Sequence, residues 1–135
     1  MAKWTLDLSR YGAKTKDQIS KVFRETGIDL TTRIIFRTPI LSGMLRGNWF
    51  CSFAQTSRTT KSVDKGGGAT VARANRVIAD WDVFSGQSLF ITNNLPYAEG
   101  IEDGRSKTKA PAGMVKVSML EIGGIVEGAA RNERT

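Results

Sequence analysis

The chain has 135 residues, 20 Lys and Arg against 13 Asp and Glu, no histidine and one cysteine, and a net charge of +7. That length suits one domain whose core can bury roughly two-thirds of its unfolded surface. Without histidine the commonest general base and metal ligand is missing, and Cys51 alone can form neither an intrachain disulfide nor a thiolate zinc site.

At 40% apolar residues the composition is that of a folded chain. No run approaches the 20 or so apolar residues that span a bilayer, so no membrane contact is expected. The opening Met1-Ala2-Lys3-Trp4-Thr5-Leu6-Asp7 lacks the apolar core of a secretory signal. With no disulfide framework, synthesis in a reducing cytoplasm is expected. The positive balance points to an acidic partner, either nucleic acid or an acidic protein face.

The first periodic segment runs from Lys14 to Thr38. Ile19, Val22, Phe23, Leu30 and Ile34 fall on one helical stripe, opposite Lys16, Asp17, Lys21, Arg24, Glu25 and Arg33. Gly27 marks a kink or a close packing point, and Pro39 stops the helix. Ser42-Gly43 is a turn that starts a short helical stretch through Leu45. From Asn48, Trp49, Cys51 and Phe53 alternate with Phe50, Ser52 and Ala54 as in a half-buried strand. On that alternation Cys51 is a packed apolar residue, with no histidine to activate its thiol.

Gln55 to Ala69 loses all hydrophobic pattern and ends in Gly66-Gly67-Gly68; it is expected to be a flexible arm over about 55–70. Val71 to Trp81 recovers helical spacing, and Gln87 to Asn93 reads as a second strand closed by Asn93-Asn94. Tyr97 to Asp103 makes a short helical turn after Pro96 and before Gly104. Arg105 to Ala110 is a second polar loop. Pro111 opens a final helix with Met114, Val117, Leu120, Ile122 and Val126 on one face, weakened at Gly123-Gly124; a polar tail over about 130–135 follows. The order predicts a single α+β domain, a long N-terminal amphipathic helix and a C-terminal helix packed on a small antiparallel sheet, with extended basic loops.

Chemistry is sparse. Asp80 with Asp82, and Glu99 with Glu102 and Asp103, are the paired carboxylates that general acid–base work would need. No nucleophile, metal-ligand set or oxyanion cradle accompanies them, so they read as solvated or paired with Arg105, Lys107 and Lys109. The glycine triplet lacks the Gly-Lys-Ser/Thr ending of a phosphate loop and reads as flexibility. No enzyme, cofactor or metal site is expected. Two basic runs stand out: Arg58, Lys61, Lys65, Arg73 and Arg76 against Asp64 alone, and Arg105, Lys107, Lys109 and Lys116 with no acid among them. Nucleic-acid contact, docking on an acidic protein and a solvated face all remain open for them.

Two stretches carry a resemblance. Arg37-Thr38-Pro39-Ile40-Leu41-Ser42-Gly43-Met44-Leu45-Arg46-Gly47-Asn48-Trp49 ends a helix at Thr-Pro and places a turn glycine and Leu-Arg before a strand. Asn93-Asn94-Leu95-Pro96-Tyr97-Ala98-Glu99-Gly100-Ile101-Glu102-Asp103-Gly104, followed by Ala110-Pro111-Ala112-Gly113-Met114, is its companion. Together, over about Lys14 to Val126, they resemble the neck or tail-completion proteins of long-tailed bacteriophages, the group of the lambda-type tail protein Z. Where that family carries a Val-Asp type pair, this chain has Ile40-Leu41 and lacks a polar helix-start contact.

The resemblance implies a non-catalytic virion protein made in the host cytoplasm. It implies a closed ring of copies, six by the family pattern with twelve as the alternative, at the head–tail junction of a siphophage. The implied neighbours are tail-terminator and tail-tube proteins, head-closure or connector proteins, and genomic DNA by non-specific contact. A tail terminator of the same junction and a small basic DNA-binding regulator are the alternatives. Arg58, Lys61, Lys65, Arg73, Arg76, Tyr97, Arg105, Lys107 and Lys109 are the candidate interface residues. For Tyr97, a place in the core is preferred to a subunit contact.

Overall fold

A computed structural model describes residues 15–40, 42–103 and 113–134. Expectations that fall on Gly104, Arg105, Lys107, Lys109 and Pro111 lie outside these residues. Helix α1, Lys16–Arg37, opens on a capping box: Thr15 Oγ1 accepts the Gln18 amide at 3.1 Å while Gln18 Oε1 accepts the Thr15 amide at 3.2 Å. It ends where Thr38 turns extended before Pro39, with the Thr38 hydroxyl donating back to the Ile34 carbonyl at 2.7 Å. The buried arc is wider than the apolar stripe and includes Thr26, Gly27 and Thr31, because α1 is covered on several sides. Gly27 is a close packing point: a Cβ there would lie 2.9 Å from Leu89 Cδ2.

Helix α2, Met44–Gly47, leads into strand β1, Trp49–Ser52, which pairs antiparallel with β2, Phe90–Asn93, in the register Trp49↔Asn93 and Cys51↔Ile91. Between the strands come helix α3, Gly68–Ala79, and a 3-10 turn, Val83–Ser85. Helices α4, Ala98–Glu102, α5, Val115–Met119, and α6, Ile122–Arg134, complete the α+β order. The C-terminal segment is two helices where one was expected. The break falls at Leu120-Glu121, ahead of the glycine pair, and leaves Leu120 87% exposed instead of on the packed face. Helix α6 also continues to Arg134, into the stretch expected to be a polar tail, and buries Ala130 there.

Three clusters fill the interior. Leu30, Ile34 and Ile35 of α1 meet Leu45, Trp49, Ala98, Met114 and Ile125. Val22 meets Val126, Ala129 and Ala130 of α6. Cys51, Ala74, Ile78 and Trp81 close α3 over the sheet, with Phe23 edge-on to Trp81 at 5.7 Å. Cys51 is buried as expected, its sulfur 3.7 Å from the Thr31 hydroxyl, and burial pushes its thiol pKa up. The strand is not one-sided, however. Cys51 faces α1, so Phe50 faces away from it, yet Phe50 is also buried. What covers it is charge.

Candidate interaction surface

The unpatterned segment between β1 and α3 forms no regular element over residues 55–67, but it lies against the body as a strap instead of projecting as an arm. Asn48, fully buried, donates from Nδ2 to the Met44 and Thr60 carbonyls at 2.7 and 2.9 Å and accepts the Thr60 amide on Oδ1 at 2.8 Å. Asn94 Nδ2 donates to the Thr56 carbonyl at 2.9 Å and the Arg58 carbonyl at 3.3 Å. The Asp64 amide donates to the Gly43 carbonyl at 3.0 Å. Arg46 donates to the carbonyls of Thr38, Phe36 and Lys65, tying the strap to the end of α1. Every polar group of Asn48 is satisfied, which is the condition for burying an amide side chain without loss.

The strap ends by capping α3. Gly67, at φ +81°, is the N-cap and offers no side chain to the first turn. Asp64 supplies the missing acceptor. Its Oδ1 takes the Gly67 amide at 3.1 Å, and its Oδ2 takes the Thr70 amide and hydroxyl at 2.8 and 2.6 Å. Burial would raise the Asp64 pKa, but the Thr70 hydroxyl, the two amides and the Arg73 charge outweigh it and hold the carboxyl below the usual range. The glycine triplet is therefore a helix start at Gly67, not simply a flexible tract.

Of the five basic residues predicted here, the fold gathers three. The Arg73 guanidinium lies 4.0 Å from the Phe50 ring centre, and the Arg58 guanidinium 4.7 Å from the same centre. Arg73 Nη2 also donates to the carbonyls of Gly47 and Trp49 at 2.9 and 2.7 Å. Burial, and then the Arg58 charge, lower the Arg73 pKa; Arg76, three residues along α3, adds to the effect. Lys61, Lys65 and Arg76 stand exposed, with no ion pair among the described residues. Arg73 is thus a fixed strut, a role its place in a basic run did not reveal, whereas Arg58 and Arg76 keep their outward edges open.

Among the remaining candidates, Asp80 and Asp82 are solvated as expected, whereas Tyr97 and Glu102 are placed differently. Tyr97 is 38% exposed and leaves the core to Ala98. The Glu102 carboxylate accepts the amides of Met114, Val115 and Lys116 at 2.7, 2.8 and 2.8 Å, capping α5. Asp103 pairs with Lys116 at 3.5 Å. Asp80 and Asp82 are exposed. Among the described residues no three Cys, Asp or Glu side chains come together to hold a metal ion, and no helix is long and apolar enough to cross a membrane. An open groove of about 590 Å³ runs between α1 and α6 past Glu25, Asp29, Arg33, Gly124 and Gly128. Arg33 there is held by Asp29 at 2.7 Å and by Glu121 at 3.1 Å.

The two stretches quoted above for their resemblance meet in space. Trp49 pairs with Asn93, Asn93 Nδ2 donates to the Leu45 carbonyl at 2.9 Å, and Trp49 Nε1 donates to Thr38 Oγ1 at 2.7 Å. Ala98 and Met114 join Leu45 and Trp49 in one cluster. No family model, curated protein or solved structure matches the chain.

Proposed function

We propose that this chain is a non-catalytic structural protein of the phage head–tail junction, a ring-forming building block of the neck or tail-completion type. The observation that carries the reading is the packing of Leu45 and Trp49 with Ala98 and Met114, together with the hydrogen bond from Asn93 to the Leu45 carbonyl. The resemblance thus rests on one folded unit and not on two unconnected strings of residues. The surface agrees with an assembling subunit. Phe36, Ile40, Val63, Phe84, Tyr97 and Leu120 are large apolar side chains with a third or more of their surface exposed, area that contact with neighbouring copies would bury. A head-to-tail arrangement of such faces closes into a ring when the rotation between copies divides the circle. The copies would meet tail-terminator and tail-tube proteins on one side and head-closure proteins on the other.

Quantitative mass spectrometry of purified virions tests the reading. The expected result is this chain in stoichiometric amount, six or twelve copies per particle; its absence from complete particles would overturn the proposal.

A further inference from the structure

The arginine face has a property that assembly alone does not use. Arg58 and Arg73 crowd one aromatic ring, and Arg76 stands one turn along α3. The acid nearest in sequence, Asp64, has both oxygens occupied by the start of α3. Asp64 offsets part of the Arg73 charge, but Arg58 and Arg76 have no ion pair among the described residues, and an anion placed beside them relieves the repulsion among like charges. Burial, and after it the Arg58 charge, lower the Arg73 pKa.

We infer that Arg58, Arg73 and Arg76, continued along the strap by Lys61 and Lys65, bind the phosphodiester backbone of double-stranded DNA. The inference deepens the reading above and rests on it for the choice of DNA among polyanions.

Three features favour a nucleic-acid backbone over an acidic protein. The guanidinium is a planar fork that meets phosphate oxygens two at a time, and Arg58 and Arg76 have their forks free. The strap backbone is anchored on either side of Lys61, with Thr60 bonded by Asn48 and the Lys65 carbonyl by Arg46, so the segment that carries the lysines stays against the body. The ring at its centre is covered by guanidinium and closed to partners, whereas a protein interface needs an apolar centre. For the same reason bases cannot stack on Phe50, so the contact reads backbone charge without sequence and suits a duplex better than a single strand.

The test is fluorescence anisotropy of the full chain with a labelled random-sequence duplex over a salt series. Affinity should fall linearly on log–log axes with rising salt. The double variant Arg58→Ala/Arg76→Ala should flatten the slope by about 2 and weaken binding ~10-fold or more at low salt. Lys21→Ala/Arg131→Ala removes the same charge from ion pairs on α1 and α6 and should leave the slope near wild type. Thermal melts confirm that both variants fold. No binding at low salt, equal effects of the two double variants, or poly-glutamate bound as tightly as duplex would each overturn the inference. The ring reading would survive any of these, because virion composition tests it separately.

Discussion

Asp64 and Gly43 show how single residues set this surface. Asp64 does the work of an N-cap from three residues upstream, since Gly67 has no side chain to offer. Asp64→Ala should cost about 1–2 kcal/mol, the usual value of a lost cap. Because folding lowers the Asp64 pKa, its contribution is whole above the ordinary aspartate value of about 4 and is lost as pH falls through the folded value. Urea titrations should therefore show the gap between wild type and Asp64→Ala closing in acid. A gap that stays constant to low pH would contradict the capping role.

Gly43 is constrained by both backbone and space. Its φ is +87°, and a Cβ would lie 2.8 Å from Val63 Cγ1 and 2.7 Å from Lys65 Cγ. Gly43→Val should lose at least about 2 kcal/mol, from left-handed strain and from displacing the strap. Lys61→Ala, at an exposed side chain with no ion pair among the described residues, should melt within a degree or two of wild type; equal melting of the two variants would contradict the strain assigned to Gly43.

At the scale of elements, the strap is the least expected feature. Its composition, Thr, Ser, Lys and Gly, is that of a mobile linker, and sequence pattern registers only side-chain periodicity. What holds it are backbone carbonyls and amides met by Asn48, Arg46 and Asn94, partners that lie outside the segment. The helices and strands were legible because their apolar periods are local: α1, β1 and β2 sit where spacing and Pro39 put them. The break between α5 and α6 was not legible, because it depends on long-range contacts. Arg37 reaches Ser118 and Glu121 there, and Glu102 fixes the start of α5 from across the chain. Glu102→Ala strips three amides of a charged acceptor and should cost about 2–3 kcal/mol. Hydrogen exchange at Met114–Lys116 should rise with it; unchanged protection would show that α5 is held by packing alone.

Over the whole molecule, exposed charge and exposed apolar side chains share the strap, where Val63 stands 59% exposed between Lys61 and Lys65. The cations that composition merely counts fall into two kinds. Arg33, Arg37, Arg46 and Arg73 are structural, spent on carboxylates or carbonyls, while Arg58, Lys61, Lys65 and Arg76 are exposed with no ion pair among the described residues. Nothing in a linear sequence separates these kinds, since each depends on which oxygen the fold brings near. Tyr97 shows the converse: its apolar neighbours suggested a core place, yet Ala98 takes it and the ring stands in solvent.

The proposed role rests on faces offered to copies of the same chain around a viral channel. Cryo-electron microscopy of intact particles is the most direct test. A closed ring of this fold, coaxial with the DNA passage between head and tail and with Arg58 and Arg76 lining the inner wall, is the predicted result. Particles complete and infectious without the chain, or density for it only as isolated copies away from that junction, would contradict it.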